Sequence, residues 1–157
     1  MGVDSGMPDF RGDNGFWKAY PMFKEEGLSF HDVANGEWFR REPARAWEFY
    51  GQRLDLYRNT APHQGFSILK KWCESKESYF IFTTNVDGHF QKAGFDSEHV
   101  YEVHGSINHL QCSEVCNNEI WAVSDSKNGT SKLELYVCKN GHITRPNILM
   151  FDDYNWI

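Results

Sequence analysis

Three short segments of the chain have the pattern of β-strands. Residues 79–82 (YFIF) and 100–103 (VYEV) are nearly continuous apolar runs, and residues 107–111 (INHLQ) alternate apolar with polar positions. Residues 147–151 (NILMF) return to the same apolar character late in the chain. Because such runs alternate here with helical segments, they predict an α/β fold with a parallel sheet at its centre.

Helical periodicity fills the intervals between these strands. Pro43 opens a segment in which apolar side chains recur at three- and four-residue spacing, so one face of this helix is expected to be buried. The residues of that face are Trp47, Tyr50, Leu54 and Tyr57. A second helix is predicted after Thr60, which would act as its N-cap. The apolar stripe of this second helix holds Phe66, Leu69 and Trp72.

Composition limits the kinds of partner. The chain holds 16 Lys and Arg against 22 Asp and Glu, for a net charge of −6, and its basic residues are scattered. This argues against a nucleic-acid surface, which needs a basic patch, and against an anionic membrane. No apolar run approaches the roughly eighteen residues of a spanning helix, and no N-terminal signal pattern is present. We therefore expect a cytoplasmic protein whose four cysteines bind metal or stay reduced.

Polar groups follow two of the predicted strands. The strand at 79–82 leads directly into residues 83–88 (TTNVDG), and the strand at 100–103 ends on His104, which Gly105 and Ser106 follow. Two strand ends that deliver polar side chains in this way predict the floor of a site.

Four blocks of sequence occur in an informative order. They are SGMPDFRG at residues 5–12, TTNVDG at 83–88 with AG at 93–94, EVHGS at 102–106, and RPNILMF at 145–151. Together they resemble the sirtuins, the NAD-dependent protein lysine deacylases. The corresponding sirtuin motifs are S-G-I-P-D-F-R-G, T-Q-N-I-D-G…A-G, E-L-H-G-S/T and R-P-x-V-V-x-F, with a cysteine-bearing insert before the last one.

The resemblance implies a partial Rossmann-like parallel sheet flanked by helices, with a small zinc-ribbon-like insert. Residues 1–111 would form the NAD-binding core, including a helical lid over about residues 12–60. Residues 112–143, which are mostly polar, would form the insert, and residues 144–157 would return to the core. In the family a strand ending in G-A-G-x-S precedes the first block and further βα units follow the last one. We therefore expect a sirtuin core that is truncated at both ends.

The resemblance also implies that His104 is the catalytic base. In the family's reaction the carbonyl oxygen of an acylated lysine attacks the nicotinamide ribose carbon and expels nicotinamide, and a base then deprotonates a ribose hydroxyl. Histidine suits this task because its unperturbed pKa lies near working pH. Taken without its context, a strand-end histidine that only bonds a neighbour would be the simpler interpretation.

Five residues match cofactor-contacting positions of the family: Asp9, Phe10, Arg11, Asn85 and Asp87. Asn85 and Asp87 match the nicotinamide side, where an amide and a carboxylate hold polar groups in a confined pocket. An N-x-D-G turn also bonds its own backbone, and both roles are compatible. The first three residues match a mobile loop whose phenyl ring shields the reactive ribose from water. Thr84 replaces a glutamine of the family, so the ribose contact of that glutamine is not carried over.

Tyr50 and Arg53 fit the Y-x-x-R pair of sirtuins that remove acidic acyl groups such as succinyl and malonyl. An arginine fork can pair bidentately with a terminal carboxylate, and a tyrosine hydroxyl can add a further bond. The alternative is a helix face with one buried aromatic residue and one solvated arginine.

In sirtuins two C-x-x-C pairs bind a structural zinc outside the reaction centre. Here Cys112 and Cys116 are spaced one residue wider, and Asn140 stands near the place of the cysteine that would follow Cys138. His142 could complete a site of three cysteines and one histidine. The alternative is a degenerate insert with free thiols.

The sequence therefore predicts an NAD-dependent protein deacylase that acts on an acylated-lysine protein or peptide and releases nicotinamide and O-acyl-ADP-ribose. Two other interpretations stay open. One is an NAD hydrolase or ADP-ribosyltransferase that uses the same pocket. The other is an inactive remnant that acts only as a binding module.

Overall fold

The computed structural model describes residues 1–9, 13–123 and 137–157. A 3-10 turn at Val3–Ser5 opens the described chain. The helices are α1 (Asp13–Ala19), α2 (Pro21–Glu25), α3 (Phe30–Val33), α4 (Trp38–Arg41), α5 (Pro43–Asn59), α6 (Gln64–Glu74) and α7 (His89–Lys92). The strands are β1 (Ile81–Thr83), β2 (Val100–Glu102), β3 (Gly105–Cys112), β4 (Trp121–Ala122) and β5 (Thr144–Ile148).

The described strands form two sheets. β1 and β2 pair in parallel, which confirms the predicted parallel pairing, and α7 lies in the connection between them. β3 lies between β4 and β5 and pairs with both in antiparallel orientation. The parallel prediction does not extend to these three strands. Parallel neighbours need a crossover of a dozen or more residues, and the link between β3 and β4 is too short for one.

Aromatic side chains dominate the core where α1 to α5 meet. The rings of Phe16 and Phe23 stack with centroids 5.6 Å apart, and Phe49 approaches Phe16 edge-on at 6.0 Å. Each such pair adds about 0.5–1.5 kcal/mol beyond the burial of its surface. The predicted helical excursion is therefore a packed layer, and its aromatic side chains share one core with Ile107 of β3 and Ile148 of β5.

Helix α5 follows the prediction closely. Pro43 occupies the first helical turn, and the four side chains predicted for the buried face are no more than 6% exposed. Trp47 Nε1 donates to the carbonyl oxygen of Thr144 at 2.8 Å, which fastens the helix to β5. At the other end, Lys92 Nζ donates to the carbonyls of Arg58 and Thr60 at 2.5 and 2.6 Å. These bonds satisfy carbonyl groups that a helix C-terminus leaves without an intrahelical partner.

Two predictions about α6 are wrong. Its N-cap is His63, whose Nδ1 accepts from the Gly65 N–H at 2.9 Å. Thr60 ends α5 instead, since its hydroxyl donates to the Leu56 carbonyl at 2.7 Å. Trp72, predicted to be buried, is 63% exposed. The reason is that α6 packs through its first turn, where Phe66 meets α7, and not along its whole length.

A buried ion pair attaches the residues that follow β5 to that strand. Arg145 Nη2 lies 2.6 Å from Asp153 Oδ2, with side-chain exposures of only 1% and 2%. The same carboxylate accepts the backbone N–H groups of Met150 and Asn155 at 3.3 and 3.1 Å. Gly36 lies so close that a Cβ there would be 2.2 Å from Arg145 Nη1. The pair therefore joins β5, the residues after it and the segment before α4.

Among the described residues, no helix has the length and apolar character needed to cross a bilayer.

Candidate active site and metal centre

Parallel pairing of β1 and β2 brings the predicted strand ends to one edge of the sheet. Thr83, the last residue of β1, lies opposite Glu102, the last residue of β2. Beyond this pair, the Val103 N–H donates to the Thr83 carbonyl at 3.0 Å. Residues 84–88, which we call the 84–88 turn, leave β1 here and are tied to β3 by the Ile107 N–H, which donates to the Val86 carbonyl at 2.9 Å. The turn and His104 therefore share this edge.

His104 lies in the turn between β2 and β3 and is held from two sides. Its Nδ1 is 3.2 Å from the Thr84 carbonyl oxygen, and its own carbonyl accepts the Leu149 N–H at 2.9 Å. Because a carbonyl oxygen can only accept, Nδ1 is assigned the proton and Nε2 the lone pair. The ring is partly exposed. This arrangement presents Nε2 as a proton acceptor.

Asn85 and Asp87 are partly buried in the 84–88 turn. The Asn85 N–H donates to Thr83 Oγ1 at 3.1 Å, and Asp87 Oδ1 accepts the His89 N–H at 3.0 Å. Gly88 has φ +68°, and a Cβ on it would lie 2.5 Å from Asn108 Nδ2, so glycine is required there. The turn bonds its own backbone, as its composition predicts, and it delivers an amide and a carboxylate at the sheet edge.

Glu102 is a member of this site that the sequence analysis missed. Its Oε2 accepts Gln91 Nε2 at 3.0 Å, and its carboxylate also faces the Gly88 N–H and the Ser106 hydroxyl. Burial raises the pKa of Glu102, and the neighbouring Asp87 carboxylate adds to this rise. The available signal was a charged residue in a short apolar strand, two positions before His104.

The first sirtuin-like block is described only in part. Asp9 is exposed, and its carbonyl oxygen packs against α1 so closely that a Cβ on Gly15 would lie 2.1 Å away. Phe10 and Arg11 lie outside the described residues. Upstream of them, Ser5 Oγ accepts the His63 N–H at 3.1 Å. The described part of this segment is therefore packed against α1 and the start of α6.

Tyr50 and Arg53 are both buried, with exposures of 1% and 6%. Arg53 donates from Nε and from Nη2 to the Tyr57 hydroxyl, at 3.3 and 2.7 Å. Its guanidinium carbon also lies 5.4–5.5 Å from four aromatic ring centroids, those of Phe30, Phe49, Tyr50 and Tyr57. The alternative of a solvated arginine is wrong, because this side chain is enclosed by rings. Burial also raises the pKa of Tyr50 to about 12.

The four predicted zinc ligands converge. The ligand atoms of Cys112, Cys116, Cys138 and His142 all lie within 4.8 Å of one another. The two cysteine sulfurs of Cys116 and Cys138 are 3.6 Å apart, and Cys112 Sγ is 3.8 Å from His142 Nδ1. Tetrahedral zinc with Zn–S bonds of about 2.3 Å places its sulfur ligands roughly 3.8 Å apart. The set therefore fits zinc and favours a metal site over a degenerate insert.

Local backbone geometry explains this convergence. Cys112 is the last residue of β3, and Cys138 and His142 flank a tight turn in which the Cys138 N–H donates to the His142 carbonyl at 2.8 Å. Asn140 lies in that turn and donates Nδ2 to Cys116 Sγ at 3.2 Å. Asn140 therefore contacts the group as a hydrogen-bond donor, while His142 supplies the fourth ligand atom.

The known proteins that are similar in sequence to this chain agree with one another in their descriptions. A sequence model described as the Sir2 family matches residues 1–155. A protein named NAD-dependent protein deacylase from Aquifex aeolicus is 33% identical over 153 residues, which cover 98% of this chain and 58% of the relative. The mitochondrial NAD-dependent protein deacylase sirtuin-5 of Danio rerio is 34% identical over 117 residues, which cover 71% of this chain and 35% of the relative.

Solved structures share the fold. A mutant Sir2 homologue in complex with ADP-ribose aligns with a TM-score of 0.74 at 27% identity, over 97% of this chain and 55% of that one. A complex of a Sir2 homologue with NAD aligns with a TM-score of 0.74 at 26% identity, over 96% and 53%. The chain thus spans little more than half the length of these solved relatives.

Proposed function

Because the chain belongs to the Sir2 family, we propose that it is an NAD-dependent protein lysine deacylase. The observation that carries this proposal is that His104 and the 84–88 turn, which holds Asn85 and Asp87, share one sheet edge, where the Thr84 carbonyl holds His104 Nδ1. The name of the Aquifex relative and the NAD complex of a solved homologue support it.

The proposed role of His104 is that of general base. NAD, when bound, would offer the ribose carbon from which nicotinamide would leave as the acyl oxygen of the lysine bonds to that carbon. His104 Nε2 then takes a proton from a ribose hydroxyl, while the Thr84 carbonyl keeps Nδ1 protonated and the ring oriented. The same carbonyl stabilises the positive charge that the imidazole acquires.

We assign Asn85 and Asp87 to the nicotinamide side of the site. An amide can both donate to and accept from a carboxamide, and a carboxylate accepts from N–H or O–H groups. The Thr83 hydroxyl, which accepts the Asn85 N–H, and the His89 N–H, which donates to Asp87 Oδ1, constrain these residues before a ligand arrives. Asp9 stays assigned to the cofactor loop, together with Phe10 and Arg11, on the strength of the resemblance alone.

We infer that the acyl group includes acidic types such as succinyl and malonyl. The support is the enclosed Arg53 guanidinium, because a charge away from water binds a carboxylate more strongly than one in water does. Tyr50 adds a hydroxyl that stays protonated at neutral pH, since burial raises its pKa to about 12. Separately, Cys112, Cys116, Cys138 and His142 would hold a structural zinc that joins the end of β3 to the turn at 138–142.

The direct test is to incubate the protein with NAD and matched acetyl- and succinyl-lysine peptides, and to measure deacylated peptide and nicotinamide by mass spectrometry. We expect NAD-dependent deacylation that His104→Ala abolishes. His109→Ala is the matched control, because His109 is an exposed histidine on β3. Nicotinamide release that does not need the peptide would favour an NAD hydrolase or ADP-ribosyltransferase. Failure of the folded protein to bind NAD in calorimetry would favour a binding module.

A further inference from the structure

Glu102 connects three segments that surround the 84–88 turn. Its Oε2 accepts from Gln91 Nε2 of α7 at 3.0 Å. Its carboxylate also faces the backbone N–H of Gly88, at the end of the turn, and the hydroxyl of Ser106 at the start of β3. Glu102 itself is fixed at the end of β2 by its pairing with Thr83. One carboxylate therefore bonds α7 and lies near donors of the turn and of β3.

The elements around Glu102 are short, so they need such a connection. α7 has four residues, and β1 and β2 have three residues each. Among the described residues, Gln91 Oε1 is buried without a hydrogen-bond partner, so the bond to Glu102 is what fixes the Gln91 amide. Gly88 directly follows Asp87, and the left-handed conformation of Gly88 sets where the turn ends. Asp87 Oδ1 also accepts the N–H of His89, the first residue of α7, at 3.0 Å. Fixing α7 through Gln91 therefore constrains the direction of the Asp87 side chain.

We propose that Glu102 is a positioning residue, which holds the 84–88 turn so that Asn85 and Asp87 face the nicotinamide end of the site. The assignment of that ligand rests on the proposed function, whereas the effect of Glu102 on the turn does not. Asp87 is the charged group that faces Glu102 from the turn, while Gln91 and Ser106 face it as neutral donors. Glu102 therefore acts through hydrogen bonds and needs no cationic partner.

The first test measures the turn itself by hydrogen–deuterium exchange in the unliganded protein. Glu102→Ala removes the acceptor of the Gln91 bond, and we expect exchange in residues 84–89 to rise about tenfold, as loss of a hydrogen bond of about 1.4 kcal/mol implies. Glu102→Gln keeps one acceptor oxygen, and its new amide can donate to Gln91 Oε1, so exchange should stay within about twofold of the wild type. Glu98→Gln is the matched control, because Glu98 is exposed and makes the same change of charge.

The second test separates positioning from general stability by kinetics. In Glu102→Ala we expect the rate of nicotinamide release to fall about 100-fold, as a small misplacement of reacting groups implies. The KM for the acyl peptide should change less than about twofold, because Tyr50 and Arg53, which we assign to the acyl group, lie on α5, whereas Glu102 bonds Gln91 of α7. Glu102→Gln should restore most of the rate. A merely structural role would instead lower the folded fraction and leave the constants per folded molecule unchanged.

The exchange and activity measurements test the role of Glu102 and the proposed function separately. If exchange in residues 84–89 is unchanged in folded Glu102→Ala, the positioning role is overturned whatever the activity. If that variant does not fold, Glu102→Asp, which withdraws the carboxylate by one methylene, should raise exchange in the same residues. Unchanged exchange in Glu102→Asp would then overturn the inference. A wild-type protein that neither cleaves NAD nor deacylates peptide contradicts the proposed function, while the exchange result still decides the role of Glu102.

Discussion

Replacing Arg145 by Met should strongly destabilise the protein. The guanidinium lies 2.6 Å from the Asp153 carboxylate, and both side chains are almost completely buried. Removal of one partner leaves the other charge in a poorly solvated place, which typically costs about 3–5 kcal/mol of the free energy of unfolding. Met has a similar length and no charge. The decrease in the free energy of unfolding therefore measures the cost of burying the unpaired Asp153 carboxylate more than the cost of a cavity.

A double-mutant cycle tests this explanation. Asp153→Asn removes the negative charge and retains an acceptor oxygen for the Met150 N–H, which now bonds Oδ2. We therefore expect Arg145→Met with Asp153→Asn to be more stable than Arg145→Met alone, by about 1–3 kcal/mol. If the destabilisation came from lost packing of the arginine stem, the second substitution would give no recovery.

Urea unfolding followed by tryptophan fluorescence measures these differences, with the protein loaded with zinc throughout. The matched control is Lys70→Met, which breaks a more exposed pair with Glu74 and should change the free energy of unfolding only slightly. High salt should weaken the Lys70 effect and leave the Arg145 effect almost unchanged, because buried pairs are little screened. A loss below about 1 kcal/mol in Arg145→Met, or a double mutant no more stable than the single one, would refute the reasoning.

Three further predictions follow from buried groups. Elemental analysis should find one zinc per chain and a large loss of zinc in Cys138→Ser, and a wild type without bound metal would contradict the assigned centre. His89→Leu should raise the free energy of unfolding by about 1 kcal/mol in urea titrations, because the ring is fully buried and neither ring nitrogen has a hydrogen-bond partner among the described residues. A destabilised His89→Leu would show that the ring has a partner. Burial raises the pKa of Tyr50 to about 12, against about 10 in the unfolded chain. Stability from Tyr50 should therefore be fully present below pH 10 and fall by about 3 kcal/mol as the pH rises from 10 to 12. Tyr50→Phe should lose less stability over that range, and identical alkaline unfolding of the two proteins would contradict this.

Local sequence patterns were sufficient to predict the features that depend on a single helix, strand or turn. The buried face of α5 follows from a spacing of three and four residues, because that spacing places side chains on one side of any helix. The meeting of the 84–88 turn with His104 likewise follows from two apolar strands that end in polar residues. The convergence of His142 with the three cysteines was also predictable, because the spacing of candidate metal ligands is a local property of the chain.

Features that depend on distant partners could not be predicted in this way. Arg53 resembles a surface residue of an amphipathic helix until Phe30, from another helix, is placed beside its guanidinium. Glu102 resembles an ordinary charge in a strand, since Gln91 and Ser106 come from different elements. The choice of His63 over Thr60 as the N-cap of α6 depends on where α5 stops, and Thr60 was already used to end α5.

Backbone carbonyl and N–H groups hold His104 and join the 84–88 turn to β3, so these contacts do not depend on which side chains the supplying residues carry. The carbonyl of Thr84 holds the His104 ring, so replacement of the family's glutamine by threonine at that position leaves this contact intact. The turn is joined to β3 through the Val86 carbonyl, and the His104 backbone is joined to the end of β5 through the Leu149 N–H. Side-chain substitutions at such positions leave the bonds unchanged, whereas a shift in the β1–β2 register would break them together. A chain that keeps this register can therefore differ at many other positions and still place a histidine, an amide and a carboxylate at the same edge.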